Sequence, residues 1–305
     1  MVAPAGLSSY EIGDIRLTLL PDGYHRCDPV QTFVGSSEAD WAEHAHLLDE
    51  RGRIVMTMGA LLVEFPDGTR ALLDTGFGNR TIVLADMGLE FWGGRLLKSL
   101  TAAGLAADDI DVVAFSHMHI DHVGWTATDA AALSFAKARH VLAREEWDHW
   151  AAQPDAGGPG AREIDALRPR VELVDGETSI VPGLRMVPTF GHTPGHCSFL
   201  VESGPGRAVV LGDAVHCPLQ ISHPEWAFSA DVNPDQARLT REHLVRELEA
   251  PNTTVVGPHF PGAVFGRVLP GTKPVQVAFD VAPAAPPQIV AGEAPAGEIF
   301  LPPLD

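Results

Sequence analysis

The chain has 305 residues and a formal net charge of −19, from 21 Lys and Arg against 40 Asp and Glu. A negative field of this size repels nucleic-acid backbones and anionic membrane surfaces, so binding to either is not expected. The N-terminus lacks a basic start followed by an apolar run, and no stretch approaches the roughly 18 apolar residues of a membrane span. The three cysteines share no metal-finger spacing, so we expect a cytoplasmic protein with reduced thiols.

Apolar periodicity predicts alternating strands and helices along the chain. Asp67-Gly68 is a hairpin signal, and Asn233 followed by Pro234 is typical of a helix N-terminus. The predicted segments are a hairpin over 54–76, a helix over 93–105, a buried strand over 110–117, a helix over 141–150, a Gly- and Pro-rich loop over 154–163, several short strands, a helix over 233–250 and a strand over 253–260.

We expect a single layered α/β domain over residues 51–270. An N-terminal extension over 1–50 is expected to pack on this domain, and a Pro- and Ala-rich tail over 271–305 is expected to follow it. The N-terminal segment and exposed aromatic residues would suit a homodimer interface.

The decapeptide "SHMHIDHVGW" (116–125) places His117, His119, Asp121 and His122 within six positions between apolar stretches. Burial of such groups costs several kcal/mol each unless hydrogen bonds or a metal satisfy them, on the order of 2–7 kcal/mol for a neutral polar group. A single histidine beside a strand is more often structural, but no packing requirement explains the whole string. We therefore interpret the string as metal-ligating.

Three further groups lie in similar contexts: His196 in "GHTPGH", Asp213 in "VVLGD" and His259 in "VVGPHF". Asp213 and His259, like His117, directly follow short apolar strands, and strand ends at one sheet edge can bring binding groups together. Imidazole and carboxylate ligands suit zinc, and also iron, manganese or cobalt. A carboxylate such as Asp213 could bridge two ions about 3.5–4 Å apart, which would share a water of lowered pKa.

The strings "HMHIDH", "GHTPGH", "LGD" and "GPH", with the earlier "LLDTG" at 72–76, resemble the metallo-β-lactamase superfamily in order and context over about residues 50 to 270. The resemblance implies an αββα four-layer sandwich with two divalent metal ions, most simply zinc, at one edge of the paired sheets. It assigns the first ion to His117, His119 and His196. It assigns the second to Asp121, His122 and His259, with Asp213 between them.

Departures from the family's branches narrow the function. Glyoxalase II-type enzymes carry basic residues near the C-terminus, whereas this tail has almost none, and lactonases of the family often carry a tyrosine where His216 stands. The string "GDAVHCPLQ", with His216 and Gln220, is closer to the methyl parathion hydrolase-like branch. The resemblance implies a hydrolase that uses a bridging hydroxide to cleave a small ester, lactone or phosphotriester.

Two residues are assigned to the chemistry besides the ligand set. Asp121 is expected to accept or relay the proton of the attacking water, and His216 to contact the substrate or support Asp213. Aromatic residues could form an apolar mouth, although each has a simpler interpretation as core. The candidates are Phe77, Phe91, Trp92, Trp226 and Phe228.

Three alternatives stay open at this point. A mononuclear iron relative would use only the first ligand set for sulfur or oxygen chemistry. A glyoxalase II-like enzyme would cleave a thioester. A binding module that kept an ancestral metal site would show no turnover.

Overall fold

A computed structural model describes residues 2–85, 88–152, 157–269, 271 and 276–279. Within these residues, the fold is built on two large sheets that pack face to face. In the described part of the chain, no helix combines the length and the apolar character needed to cross a bilayer.

The first sheet has the order β10-β9-β8-β5-β4-β2-β7-β6, with β1 paired to β2. β8 runs parallel to both β5 and β9, whereas β2, β4 and β5 are antiparallel neighbours. The bounds are β1 Ser8–Ile12, β2 Ile15–Cys27, β4 Ile54–Glu64, β5 Arg70–Leu73, β6 Thr81–Leu84, β7 Leu89–Trp92, β8 Val112–Ala114, β9 Arg139–Ala143 and β10 Val171–Val174.

The second sheet has the order β11-β12-β13-β14-β16-β17-β18, and β14 and β16 are parallel. A separate short pair joins β3 to β15. The bounds are β3 Phe33–Val34, β11 Thr178–Val181, β12 Leu184–Pro188, β13 Cys197–Ser203, β14 Gly206–Val210, β15 Ala227–Phe228, β16 Thr253–Val256, β17 Phe265–Leu269 and β18 Gln276–Phe279.

Helices cover the outer faces of both sheets. The longest, α8, begins after Asn233, whose side chain accepts a hydrogen bond from the Gln236 backbone N–H. The bounds are α1 Pro29–Thr32, α2 Glu38–Glu43, α3 Leu96–Ala102, α4 Ile120–Val123, α5 Arg144–Ala151, α6 Ala161–Leu167, α7 Leu219–Ser222 and α8 Pro234–Leu248.

Side chains that alternate between the two faces of each strand produce a fold of four layers. In β4, Leu61 and Val63 face the core between the sheets, whereas Leu62 faces the helices. Trp147 of α5 packs in that outer core, and Leu244 of α8 packs on the outer face of the second sheet. Because side chains on a strand point alternately to opposite faces, each sheet presents one apolar face inward and one to its helices. The predicted αββα sandwich is confirmed.

Most predicted elements are present, with shifted ends. The hairpin over 54–76 and the helix over 233–250 occur as predicted, and the strand over 110–117 shortens to Val112–Ala114. The helix predicted over 141–150 begins only at Arg144, because residues 139–143 pair with β8 as β9. The loop over 154–163 lies partly outside the described residues. Most of the tail predicted over 271–305 also lies outside them, but its residues 276–279 form strand β18, which pairs with β17.

The segment over 1–50 differs from the expected extension. Its strand β2 lies inside the first sheet, between β4 and β7, and its register with β4 runs from Arg16↔Glu64 to Cys27↔Ile54. The described N-terminal strands are therefore part of the sandwich, because their apolar residues, such as Leu17 and Leu19, complete the central core.

Candidate metal centre

Buried strands deliver the candidate ligands to one edge of the sandwich. Each ligand lies after the carboxyl end of a strand, where the chain leaves the sheet. His117 and His119 follow β8, Asp121 and His122 lie on α4, His192 follows β12, Asp213 follows β14 and His259 follows β16.

The first group of ligand atoms belongs to His117, His119, His192 and Asp213, and all of them lie within 4.8 Å of one another. His119 Nδ1 is 3.0 Å from His117 Nε2 and 2.9 Å from His192 Nε2. The second group belongs to Asp121, His122 and His259 and meets the same distance limit.

Asp213 lies between the two groups, with one carboxylate oxygen turned to each. Its Oδ2 is 3.3 Å from His192 Nε2 and 3.7 Å from His117 Nε2. Its Oδ1 is 3.1 Å from His122 Nε2 and 3.0 Å from His259 Nε2. The side chain can therefore contribute a ligand atom to both groups.

Hydrogen bonds on the outer side of the rings fix which nitrogen faces the centre. His259 Nδ1 donates to the Thr57 carbonyl oxygen at 2.7 Å, and His122 Nδ1 lies 2.9 Å from the Asp74 carboxylate. His192 Nδ1 lies 3.0 Å from the carboxylate of Asp231. Since these partners only accept when the carboxylates are ionised, the Nδ1 atoms carry the proton in the neutral form of each ring, and the Nε2 lone pairs of that form point inward.

These inward lone pairs fit a divalent cation. His122 Nε2 and His259 Nε2 face each other at 3.1 Å, a contact between two lone pairs in the neutral tautomers. Zn–N bonds of about 2.0–2.1 Å place neighbouring tetrahedral ligand atoms about 3.3 Å apart, close to the separations within both groups. The set of imidazole and carboxylate donors also matches zinc, iron or manganese chemistry.

The electrostatics of the centre also suit a cation. Burial lowers the pKa of His119 to about 3, so this ring is neutral at pH 7 and can offer a lone pair. Burial also opposes charge on His192, but hydrogen bonds to Asp213 and Asp231 outweigh it and raise the pKa of His192 to about 9. Positive charge is therefore stabilised between these carboxylates, and a bound cation would take the place of the His192 proton.

His192, and not His196, stands in the first group, which corrects the assignment of "GHTPGH". His196 is fully buried, but its Nε2 accepts a hydrogen bond from the Asp213 backbone N–H at 2.9 Å, and its Nδ1 lies 3.0 Å from the Thr189 carbonyl oxygen. Both ring nitrogens are thus engaged by the backbone. His196 holds the Asp213 loop, and the first histidine of the motif reaches the ligand cluster.

Sequence reasoning also missed the residues that orient the ligands. Asp74 accepts from the Ser116 backbone N–H at 2.7 Å and from its hydroxyl at 2.8 Å, and the Ser116 hydroxyl lies 3.0 Å from His117 Nδ1. One carboxylate therefore supports both His117 and His122. Asp74 is the aspartate of the "LLDTG" string, and its position directly after a predicted strand was the feature that could have identified it.

His216 supports Asp213 at the carboxylate oxygen that faces the first group. Its Nε2 is 3.1 Å from Asp213 Oδ2, and its ring stacks on Phe228 with centroids 3.4 Å apart and planes 6° apart. Burial lowers the pKa of His216 to about 4. The ring is thus neutral at pH 7 and held in a fixed orientation against the carboxylate.

The other aromatic candidates occupy different places. Phe77 is fully buried and stacks on Phe91, which in turn stacks on His25 at 4.0 Å. Trp226 is buried beside Trp41, in the same apolar cluster as Phe228. Trp92 on β7 is partly buried. Among the five candidates, Phe228 contacts a residue of the centre directly, through its stack on His216.

Comparisons with known proteins agree with this architecture. The family model described as the metallo-beta-lactamase superfamily matches residues 60–259, which include all seven members of the two ligand groups. An N-acyl homoserine lactonase from a Bacillus species is 28% identical over 117 residues, which cover 38% of this chain and 43% of the relative. The N-acyl homoserine lactonase AttM of Azorhizobium caulinodans is 36% identical over 122 residues, which cover 36% of this chain and 43% of that protein. The aligned region of the chain therefore covers less than half the length of each of these curated relatives.

Solved structures resemble most of the chain. AidC, a dizinc quorum-quenching lactonase solved in complex with a product, has 25% identity and a TM-score of 0.75, and the match covers 91% of this chain and 98% of AidC. A probable metal-dependent hydrolase from Staphylococcus aureus has 22% identity and a TM-score of 0.73, with 85% and 94% covered, and it supports the fold alone.

Proposed function

Because the chain belongs to the metallo-beta-lactamase superfamily, we propose that it is a dinuclear metal-dependent hydrolase that cleaves small lactones or related esters. The observation that carries the proposal is the position of Asp213, whose two oxygens face two separate groups of imidazoles. A mononuclear iron centre would need only the first group. The second group of Asp121, His122 and His259 therefore favours two ions.

The lactone class is supported by the relatives. Curated relatives that match the chain are named N-acyl homoserine lactonases, and AidC is described as a dizinc lactonase. Zinc is the metal we propose for both groups, since buried imidazole and carboxylate ligands are its usual partners.

His117, His119 and His192 would hold one ion, Asp121, His122 and His259 the other, and Asp213 would touch both. When bound, a pair of divalent ions supplies Lewis acidity for the substrate carbonyl and lowers the pKa of a water toward neutrality. The chain's own residues determine where this chemistry happens.

Asp121 is the proposed proton acceptor. Its carboxylate lies 3.6 Å from His259 Nε2, and its side chain is 14% exposed, compared with 5% for Asp213. An ionised carboxylate oxygen at this open side can take the proton of the attacking water and hold it for the leaving alkoxide. Burial opposes ionisation of Asp121, but the neighbouring His122 and His259 keep its pKa below the ordinary value.

His216 is proposed to act through Asp213. Its Nε2–H would donate to Asp213 Oδ2, and the Phe228 stack prevents the ring from rotating. The oxygen that faces the first group is thereby held in place. Phe228 also contributes apolar surface beside the centre, which suits an uncharged substrate.

A hydrolysis panel tests the proposal. Metal-free protein reloaded with zinc, manganese or cobalt would be assayed on N-acyl homoserine lactones, other lactones, carboxyl esters, thioesters and phosphotriesters. We expect lactone turnover that depends on metal and falls more than about 100-fold in Asp213→Asn, since loss of groups that merely orient ligands costs 10–100-fold. His243→Ala, which changes an exposed histidine of α8, is the matched control and should retain activity.

Equal, slow hydrolysis of the whole panel by the loaded and metal-free forms would contradict the proposal. Faster turnover of thioesters than of lactones would keep the metal centre but reject the lactone class. One tightly held iron per chain, with oxygen consumption, would favour the mononuclear redox alternative.

A further inference from the structure

We infer that Glu146 is a positioning residue for the first group of ligands. Its buried carboxylate holds His117, His119 and His192 in their positions. The inference rests on the metal centre of the proposed function. It assigns a role to a buried acidic side chain that makes no part of either ligand group.

Four donors surround the Glu146 carboxylate, which is 0% exposed. Oε1 accepts from the Met118 backbone N–H at 2.8 Å and from Trp150 Nε1 at 2.7 Å. Oε2 accepts from the Thr193 hydroxyl at 2.6 Å and from the Gly195 backbone N–H at 3.1 Å. An ionised carboxylate has about four acceptor sites, so its hydrogen-bonding capacity is fully used.

Each donor lies beside a ligand of the first group or in the loop that carries one. Met118 separates His117 from His119 in sequence, so the bond to its N–H fixes the turn that directs both rings. The Trp150 indole packs edge-on against the His119 ring, with centroids 5.4 Å apart.

The remaining two donors belong to the loop that carries His192. Thr193 directly follows this ligand, and Gly195 lies two residues further along. The loop approaches α5 so closely that a Cβ at Gly195 would lie 2.1 Å from the Glu146 backbone nitrogen. A glycine is therefore required there, and the close approach allows one side chain to reach both loops.

This geometry links two sheets through one residue. The turn that carries His117 and His119 leaves the first sheet, whereas His192 leaves the second. Glu146 joins these segments on the side away from the lone pairs. Hydrogen bonds to a charged acceptor are stronger than neutral ones, so the carboxylate is well suited to keep the three ligands at a fixed separation.

The substitution Glu146→Gln tests the inference with little change in shape. The amide oxygen can still accept from two donors, but the amide N–H₂ would face the Gly195 N–H, and that loop should shift. We expect one metal ion per chain to bind about 10–100-fold more weakly, as for other residues that orient ligands, while the other ion keeps its affinity. Competition with a chromophoric chelator, using cobalt and zinc on metal-free protein, measures both affinities.

Two further variants make the test specific. Glu163→Gln changes another buried glutamate, which binds Arg80 and Arg162 away from the ligand groups, and it should leave both metal affinities unchanged. Thr193→Val removes one donor to Glu146 and should weaken the same ion by a smaller factor. Thr193→Val also keeps the test informative if Glu146→Gln does not fold.

Unchanged affinity for both ions in Glu146→Gln and Thr193→Val, or equal weakening of both ions, would overturn the inference. Failure of the unchanged protein to bind two ions would instead contradict the proposed function. The two failures are therefore distinguishable in a single titration series.

Discussion

The carboxyl group of Asp213 is buried and yet ionised. Burial alone would raise the pKa of this carboxyl, but the surrounding imidazoles, with His122 and His259 foremost, hold it well below the ordinary value. The carboxylate is thus ionised and available as a ligand. Its backbone N–H donates to His196 Nε2, and its Oδ2 lies near His216, so its position is determined from several sides.

The two histidines of "GHTPGH" should differ when each is replaced. His192→Ala removes an inward lone pair, so we expect the protein to retain one metal ion per chain instead of two. His196→Asn leaves both ligand groups intact but loosens the Asp213 loop, and two ions should bind with affinities reduced about 10–100-fold. Elemental analysis after dialysis gives the stoichiometry. A loss of one ion in His196→Asn together with full occupancy in His192→Ala would restore the original assignment of His196.

Sequence could identify the contiguous ligand string but could not choose between His192 and His196. The four candidate ligands of this string lie within six positions, so their spacing alone predicts that His117 and His122 lie close together in the fold. In "GHTPGH", the choice depends on the turn between two histidines, and that turn is set by the contact of Gly195 with α5. This contact joins residues 49 positions apart, and local periodicity carries no information about it.

At the scale of elements, the carboxylate of Asp22 accepts hydrogen bonds from several separate segments of the chain. It is 0% exposed, and its carboxylate accepts from the backbone N–H groups of Phe77, Gly78, Gly94, Arg95 and Leu96 and from Trp125 Nε1. It therefore caps the beginning of α3 and fixes the turn after β5. This role could not be predicted from the sequence, because the donors come from segments more than 50 positions away.

Replacement of Asp22 should be costly for stability. Asp22→Ala leaves several buried N–H groups without an acceptor, so we expect the free energy of unfolding to fall by about 3 kcal/mol or more. Asp165→Ala, on the exposed face of α6, should stay within about 0.5 kcal/mol of the unchanged protein. Urea denaturation of both variants measures the difference. Similar losses in the two variants would show that the Asp22 network contributes little.

At the scale of the whole molecule, two sheets bring ligands from distant parts of the chain to one edge. His117 comes from the first sheet and Asp213 from the second, and the apolar core between the sheets fixes their separation. The layered architecture followed from strand and helix periodicity together with the family resemblance. The place of β2 inside the sheet did not, because a pairing between residues 15–27 and 54–64 depends on long-range register.

The stability of the sandwich should fall in mild acid partly because of His140. Its ring is 1% exposed on β9, beside Phe115, and burial lowers its pKa to about 4. The unfolded chain binds this proton below about pH 6.5, so the contribution is present above that pH and is lost as the pH falls toward 4.

The substitution His140→Phe should reduce this loss. A pKa difference of this size corresponds to at most about 3 kcal/mol, so the free energy of unfolding should decline less steeply between pH 6.5 and 4 in the variant. Denaturation of metal-free protein at a series of pH values measures the slope. An identical slope in both proteins would exclude His140 as a contributor.

The most direct test of the proposed dinuclear centre is anomalous X-ray diffraction from crystals of the zinc-loaded protein, measured on both sides of the zinc edge. The account predicts two peaks per chain on opposite sides of the Asp213 carboxylate, one beside His117, His119 and His192 and the other beside Asp121, His122 and His259. A single peak, or an Asp213 side chain that reaches only one ion, would contradict it.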